Sequence, residues 1–298
     1  MNSQNDNPPA YQAIVPSLVS LNWFERIILD MKTTFYNTTR HALALSALTI
    51  FMLLMLVPKF GAMLLDNRLL HDINIWIKPI KFYISLPIYT ATLVVFARWI
   101  PEIVRQKTWF KFFTGLVIAS ILIDGIWVSG AAAFGIGSHF NISTPLMATA
   151  YSIAGFAALI LTSGALVFGI LIAKNSKTGL AKDMHFAIWF GSVTMAILTV
   201  ITASYMAAQT GHLVGGNLSD AEAFPIMGWA TDGGDLRVAH FFASHIIHAL
   251  PLFVLFTSWM FKTISRKWVL GVAVIYTAFT FYTLWEAVSG YPFLVFML

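Results

Sequence analysis

The chain has 298 residues, of which 58% are hydrophobic and only 10% charged, against about 25% charged in an ordinary soluble domain. With a mean hydropathy of +0.76 it lacks the polar surface that a soluble fold of this size needs, so most of it belongs in lipid. The net charge of +5 lies in short runs between apolar stretches, a pattern of membrane topology signals and not of nucleic-acid binding, and the lack of cysteine excludes disulfides, thiolate metal sites, iron–sulfur clusters and cysteine nucleophiles.

The N-terminus, "MNSQNDNPPAYQAIVPSL", is polar and carries Pro8, Pro9 and Pro16. It has neither the basic start nor the short apolar core of a cleaved signal peptide. Residues 21–36 mix Trp23, Phe24, Ile27, Ile28 and Met31 with Glu25, Arg26, Asp30 and Lys32, which predicts an amphipathic helix lying in the membrane interface. Residues 1–36 therefore read as a polar tail and interfacial helix, and 37–298 as one transmembrane domain. Seven stretches in that domain reach the length of a span, at about 41–65, 75–99, 108–133, 143–173, 184–208, 237–261 and 268–296. The first contains Pro58 and Lys59 and is expected to end early; the fourth is long enough to tilt.

The basic residues assign an orientation. Arg26, Lys32 and Arg40 precede the first span, Arg98, Arg105, Lys107 and Lys111 surround the second connection, Lys174, Lys177 and Lys182 fill the fourth, and Lys262, Arg266 and Lys267 the sixth. The positive-inside rule then gives an all-α, seven-transmembrane-helix bundle with its N-terminus inside and its C-terminus outside, in a membrane such as the bacterial inner (cytoplasmic) membrane. Lys59 and Arg68, in or near the first outer connection, dissent. The longest connection, about 209–236, is external and has the length of a lid or binding loop.

With this orientation, six of the eight histidines fall in the outer half: His71, His139, His212, His240, His245 and His248. The last three share "AHFFASHIIHALP" on the sixth span. Lys78 and Lys81 open the second span from the same side, Asp124 lies on the third, Glu286 on the seventh, and Asp235 and Arg237 at the mouth of the sixth. Each ionised group costs about 2.5–3.5 kcal/mol at mid-membrane, so these groups are expected to face a shared polar cavity. His245 and His248 are three apart and adjacent on a helix, whereas His240 and His248 lie about 12 Å apart along it. The three therefore cannot ligate one ion. His245 and His248 read as ligands, with His71, His139 or His212 from another element, and His240 as a proton or propionate partner.

Two cofactors suit this pattern. Haem b takes axial imidazoles, with Phe241, Phe242, Trp127 and Trp285 as flat walls and Lys78, Lys81 and Arg237 at the depth of its propionates. A Zn or Cu ion takes His245, His248 and a third ligand, with Asp124 or Glu286 as ligand or general base. The bland alternative is that the histidines hydrogen-bond between helices.

Seven spans, an inside N-terminus, Ser85 on span two, Asp124 on span three and a late histidine pair resemble the ceramidase and adiponectin-receptor superfamily of zinc hydrolases. That resemblance implies a buried zinc and lipid-amide chemistry. The pair here is "HIIH" where that family has HxxxH, it lies on span six and not seven, and span two has no histidine. The leading expectation is a membrane redox protein that binds b-type haem and exchanges electrons with quinone or a periplasmic redox partner among the membrane lipids. The alternatives are a zinc-dependent membrane hydrolase and a small-solute or ion carrier with a Lys/Asp/Glu-lined path.

Overall fold

The computed structural model describes residues 36, 39–217, 223–224, 227–261 and 265–294. The interfacial helix expected at 21–36 lies almost wholly outside them. The elements in chain order are α1 (Leu43–Leu54), α2 (Leu56–Leu65), β1 (Leu69–Leu70), β2 (Ile73–Asn74), α3 (Ile77–Ala97), the short α4 (Glu102–Arg105), α5 (Thr108–Ala133), α6 (Pro145–Ala173), α7 (Lys182–Ala207), β3 (Leu213–Val214), β4 (Gly234–Asp235), α8 (Leu236–Phe261) and α9 (Arg266–Val288). Seven spans among the described residues are long and apolar enough to cross a membrane, with α1 and α2 together forming the first. The chain is an all-α membrane bundle.

Local chemistry sets the boundaries. The first span does not stop at Pro58 as expected; it breaks at Met55 and resumes. Pro58 offers no N–H to the carbonyl of Leu54, but it is tolerated in the first turn of α2. The seventh span ends at Val288, short of the expected 296. Gly290, at φ 78°, turns the chain, and the N–H groups of Gly290 and Tyr291 close onto the carbonyls of Ala287 and Glu286 in a Schellman arrangement that terminates the helix. At the start of α6, Thr144 Oγ1 accepts from Met147 N and Pro145 occupies the first helical position.

The helices pack mainly with their sequence neighbours, α7 lying between α6 and α8 and also touching α9, while α3 packs on α1 and more lightly on α5 and α6. Small residues let the backbones approach. A Cβ on Gly169 would lie 2.7 Å from Ser192 Cβ and 3.1 Å from the Trp189 carbonyl, and one on Gly191 3.2 Å from the Ile246 carbonyl. Gly169→Val should therefore force α6 and α7 apart and destabilise the bundle by about 1–3 kcal/mol, measured by thermal unfolding in detergent; a wild-type midpoint would show that this contact is slack. Tyr89 of α3 reaches into α6, where its hydroxyl donates to the Leu161 carbonyl at 2.5 Å and accepts from Ala165 N at 3.1 Å. It thus stands between a carbonyl and an amide that an unbroken α-helix would pair directly.

The connections sort into two ends. One carries both hairpins, the loop at 134–144 and the residues after α9; we call it the hairpin end. The other carries Arg98, Arg105, Lys107, Lys111, Lys174, Lys177, Lys182, Arg266 and Lys267, the basic end. The two dissenting basic residues have local partners. Arg68 pairs with Asp66 at 2.7 Å and donates to the carbonyls of Ala132 and Ala133 in the last turn of α5. Lys59 is buried, its ammonium 3.5 Å from the centroid of the Tyr83 ring.

Candidate functional site

The hairpin half of α8 carries the imidazoles, and its neighbours fix their tautomers. Thr202 of α7 donates its single hydroxyl proton to the Leu198 carbonyl at 2.9 Å. The contact from His240 Nδ1 to Thr202 Oγ1 at 3.3 Å is then an N–H donation by His240, which leaves Nε2 as an unprotonated nitrogen. His245 Nδ1 lies 2.7 Å from the Phe241 carbonyl. A carbonyl only accepts, so His245 also carries its proton on Nδ1 and presents a bare Nε2. Its ring is stacked on Phe241 at 3.9 Å. His248 is the opposite case. Thr92 of α3 donates to the Ile88 carbonyl at 2.8 Å and accepts from His248 Nε2 at 2.9 Å. The rings of His245 and His248 are 5.7 Å apart between centroids.

Two imidazoles reach this region from other elements. His139, in the loop between α5 and α6, lies 5.8 Å from Phe82 and 5.9 Å from Tyr151, ring to ring, with Ser138 Oγ 3.0 Å from its Nδ1. Burial first, and then Lys78, His212 and His240 nearby, push its pKa down to about 3. The ring is neutral at physiological pH. His212 stands just before β3, 6.2 Å from Phe140, and its carbonyl receives Leu236 N at the start of α8. Lys78, His212 and His240 thus come from three other parts of the chain to the neighbourhood of His139. His71 does not join them: it sits exposed at the tip of the β1–β2 hairpin, where His71 and Asp72 both have positive φ, as a two-residue type I′ turn requires.

The connection from α7 to α8 is folded down over this region. β3 pairs with β4, and Trp229 is buried against Phe241, Phe242 and Phe293. Asp235, 2% exposed, anchors it, accepting from Arg237 Nε and NH2 and from Ala230 N. Arg237 also donates to the Gly228 carbonyl at 2.6 Å, and Lys81 to the Met227 carbonyl at 2.9 Å. Arg237 and Lys81, expected beside propionates, are therefore bound to this loop. Gly228 has φ +67°, a left-handed conformation that explains the glycine there.

Of the acidic residues expected beside the lysines, Asp124 stands apart from them. Asp124 is inward and 6% exposed, but its carboxylate has no hydrogen bond or ion pair among the described residues. Glu286 is 1% exposed; it accepts from Tyr282 Oη at 2.8 Å and from Leu294 N at 3.3 Å. The two carboxylates lie on α5 and α9, which share no extensive contact. Trp285 is exposed and packs against Tyr282 and Tyr291, outside the imidazole region. Ser85 is exposed and bonds only its own helix. Among the described residues no three His, Asp or Glu side chains converge tightly enough to hold one metal ion.

Thr92, Thr202, Trp229 and Asp235 complete the site without having been singled out in the sequence as its supports. For Thr92 and Thr202 no signal existed, because a threonine in a membrane helix has the same appearance whether it bonds its own turn or a neighbour's histidine. No family model, no curated protein and no solved structure matches this chain, so its reading rests on the residues themselves.

Proposed function

We propose that this chain is a membrane redox protein that binds b-type haem, or another imidazole-ligated metal, at the hairpin end of the bundle. The observation that carries this reading is the pair of bare Nε2 nitrogens on His240 and His245, each with its Nδ1–H donated to an oxygen. That is the arrangement in which a histidine is held ready for iron or another metal, its second nitrogen fixing the tautomer and ring orientation. Haem brings four nitrogens of its own and needs only one or two imidazoles. His240 on α8, with His139 or His212 from a connection, are the imidazoles it would take, and Lys78, whose charge acts on His139, is an ammonium near enough for a propionate. When bound, the group would supply one-electron exchange. The protein's own part would be to orient the rings through Thr202 and to exclude water with Trp229, Phe241 and Phe242.

A second reading draws on the 5.7 Å separation of the His245 and His248 rings, which suits two imidazoles on one Zn or Cu ion with a further ligand. Elemental analysis of the protein after mild purification separates the two. About one iron per chain supports haem; zinc or copper at that level supports the pair; none of the three, with haem absent too, contradicts both and leaves the histidines as interhelical hydrogen-bonding groups.

The same reading places the basic end in the cytoplasm and the hairpin end outside, as expected in a bacterial inner membrane. A C-terminal alkaline phosphatase fusion should then be active and a C-terminal green fluorescent protein fusion dark. Fluorescence with no phosphatase activity would reverse the orientation.

A further inference from the structure

A second cluster lies at the basic end, about a span's length from the imidazoles. Arg40 precedes α1, Arg98 follows α3 and Arg105 ends α4. Each is set in place. Arg105 donates from Nε to the Ile100 carbonyl at 3.1 Å and from NH1 to the His41 carbonyl at 3.3 Å. Arg98 rests on the Trp99 ring, 4.2 Å from its centroid. Arg40 Nε points at His41 Nε2, 3.4 Å away. His41 stands among all three, and burial followed by Arg105, Arg40 and Arg98 lowers its pKa, with only Glu102 acting the other way. Glu102 is bonded to Gln106. None of the three arginines makes an ion pair with a described residue. Three guanidiniums from separate parts of the chain therefore gather around His41, with only the Glu102 carboxylate near them among the described residues.

We infer that this cluster binds the phosphate of an anionic phospholipid headgroup. Guanidinium forks match phosphate oxygens two at a time, and basic groups beside a span attract anionic lipid. The surroundings favour a lipid over a soluble phosphate. Leu43, Ile103 and Trp109 beside the cluster are 68%, 72% and 47% exposed, apolar surface that acyl chains cover. The site is independent of the redox reading and stands or falls without it.

The test uses the full-length protein in neutral maltoside detergent with added phosphatidylglycerol. Native mass spectrometry counts retained lipid, and ¹³C-labelled histidine reports His41, assigned through His41→Gln. One phosphatidylglycerol should stay bound, and its phosphate should raise the His41 pKa toward the ordinary value by cancelling the arginines. Arg40→Gln with Arg98→Gln should weaken retention roughly tenfold or more, while Lys174→Gln with Lys177→Gln, an equal charge loss at the same end, should not. Arg105 is left intact because it holds two backbone carbonyls. Equal losses in the two double variants, equal retention of phosphatidylcholine, or a His41 shift reproduced by millimolar inorganic phosphate alone would each overturn the assignment. The wild-type His41 titration stands even where a variant folds poorly.

Discussion

His240→Ala should yield a folded protein that binds no haem. His240 is the α8 imidazole that lies within electrostatic range of His139 on another element, so its loss removes the ligand and not merely a support. Thr202→Val tests the support. Without the Oγ1 acceptor the His240 ring loses its fixed tautomer, and affinity should fall about 10–100-fold, the usual cost of deleting a partner behind a metal ligand. His248→Ala should keep haem, because its Nε2–H is already given to Thr92 and only a hydrogen bond of about 1 kcal/mol is lost. Haem per chain after reconstitution and gel filtration reads all three. If His245→Ala and His248→Ala lose bound metal while His240→Ala does not, the non-haem pair is the site. Alanine variants of all three histidines that behave alike would remove the metal from the account.

Arg237→Ala should cost the largest share of stability of any single change in the loop over the site. It strands the carboxylate of Asp235, whose side chain is 1% exposed while that of Arg237 is 28% exposed. Removing one partner of a buried ion pair costs about 3–5 kcal/mol, and the partial exposure of Arg237 places this case near the lower figure. The loss should be local in its first effect: the Gly228 carbonyl loses its donor, and Trp229 loses the turn that presses it on Phe241. Limited proteolysis should then cut the 209–235 connection faster, and the thermal midpoint should fall. Replacing both Asp235 and Arg237 by Ala should cost less than the two single changes summed, since each single change leaves a charge that the double change does not. A single variant within about 0.5 kcal/mol of wild type, the range of ordinary surface changes, would mean that the loop is not held by this pair.

Hydropathy alone located the spans, because a run of some 20 apolar residues has few other fates. The third span, expected at 108–133, is found there, and the sixth begins one residue early. The ends that moved were set by backbone chemistry that hydropathy does not record: a proline in an initial turn at Pro58 and a left-handed glycine at Gly290. Helical spacing also showed that the three histidines of α8 cannot meet at one ion. It could not say which neighbours they meet. Counting turns favoured His245 and His248 as ligands; the positions of Thr202, His139 and His212 move the haem reading to His240. The polar residues themselves were legible, but their grouping was not. Lys78 was expected to share a cavity with Asp124, whereas tertiary packing puts it beside His139 and leaves Asp124 buried without a charged neighbour among the described residues. Asp235 looked like a charge at the mouth of a span, and its function as the buried anchor of a loop depended on its bonds to Ala230 N and Arg237 and on the reach of Arg237 to the Gly228 carbonyl, which only the fold brings together.

The central claim is that ligand-ready imidazoles at the hairpin end hold a redox group, and the optical spectrum of the purified wild-type protein tests it most directly. The account predicts a red protein with a sharp band on reduction by dithionite, absent from His240→Ala prepared in the same way. A colourless wild-type protein that takes up no haem when haem is supplied in excess would contradict it.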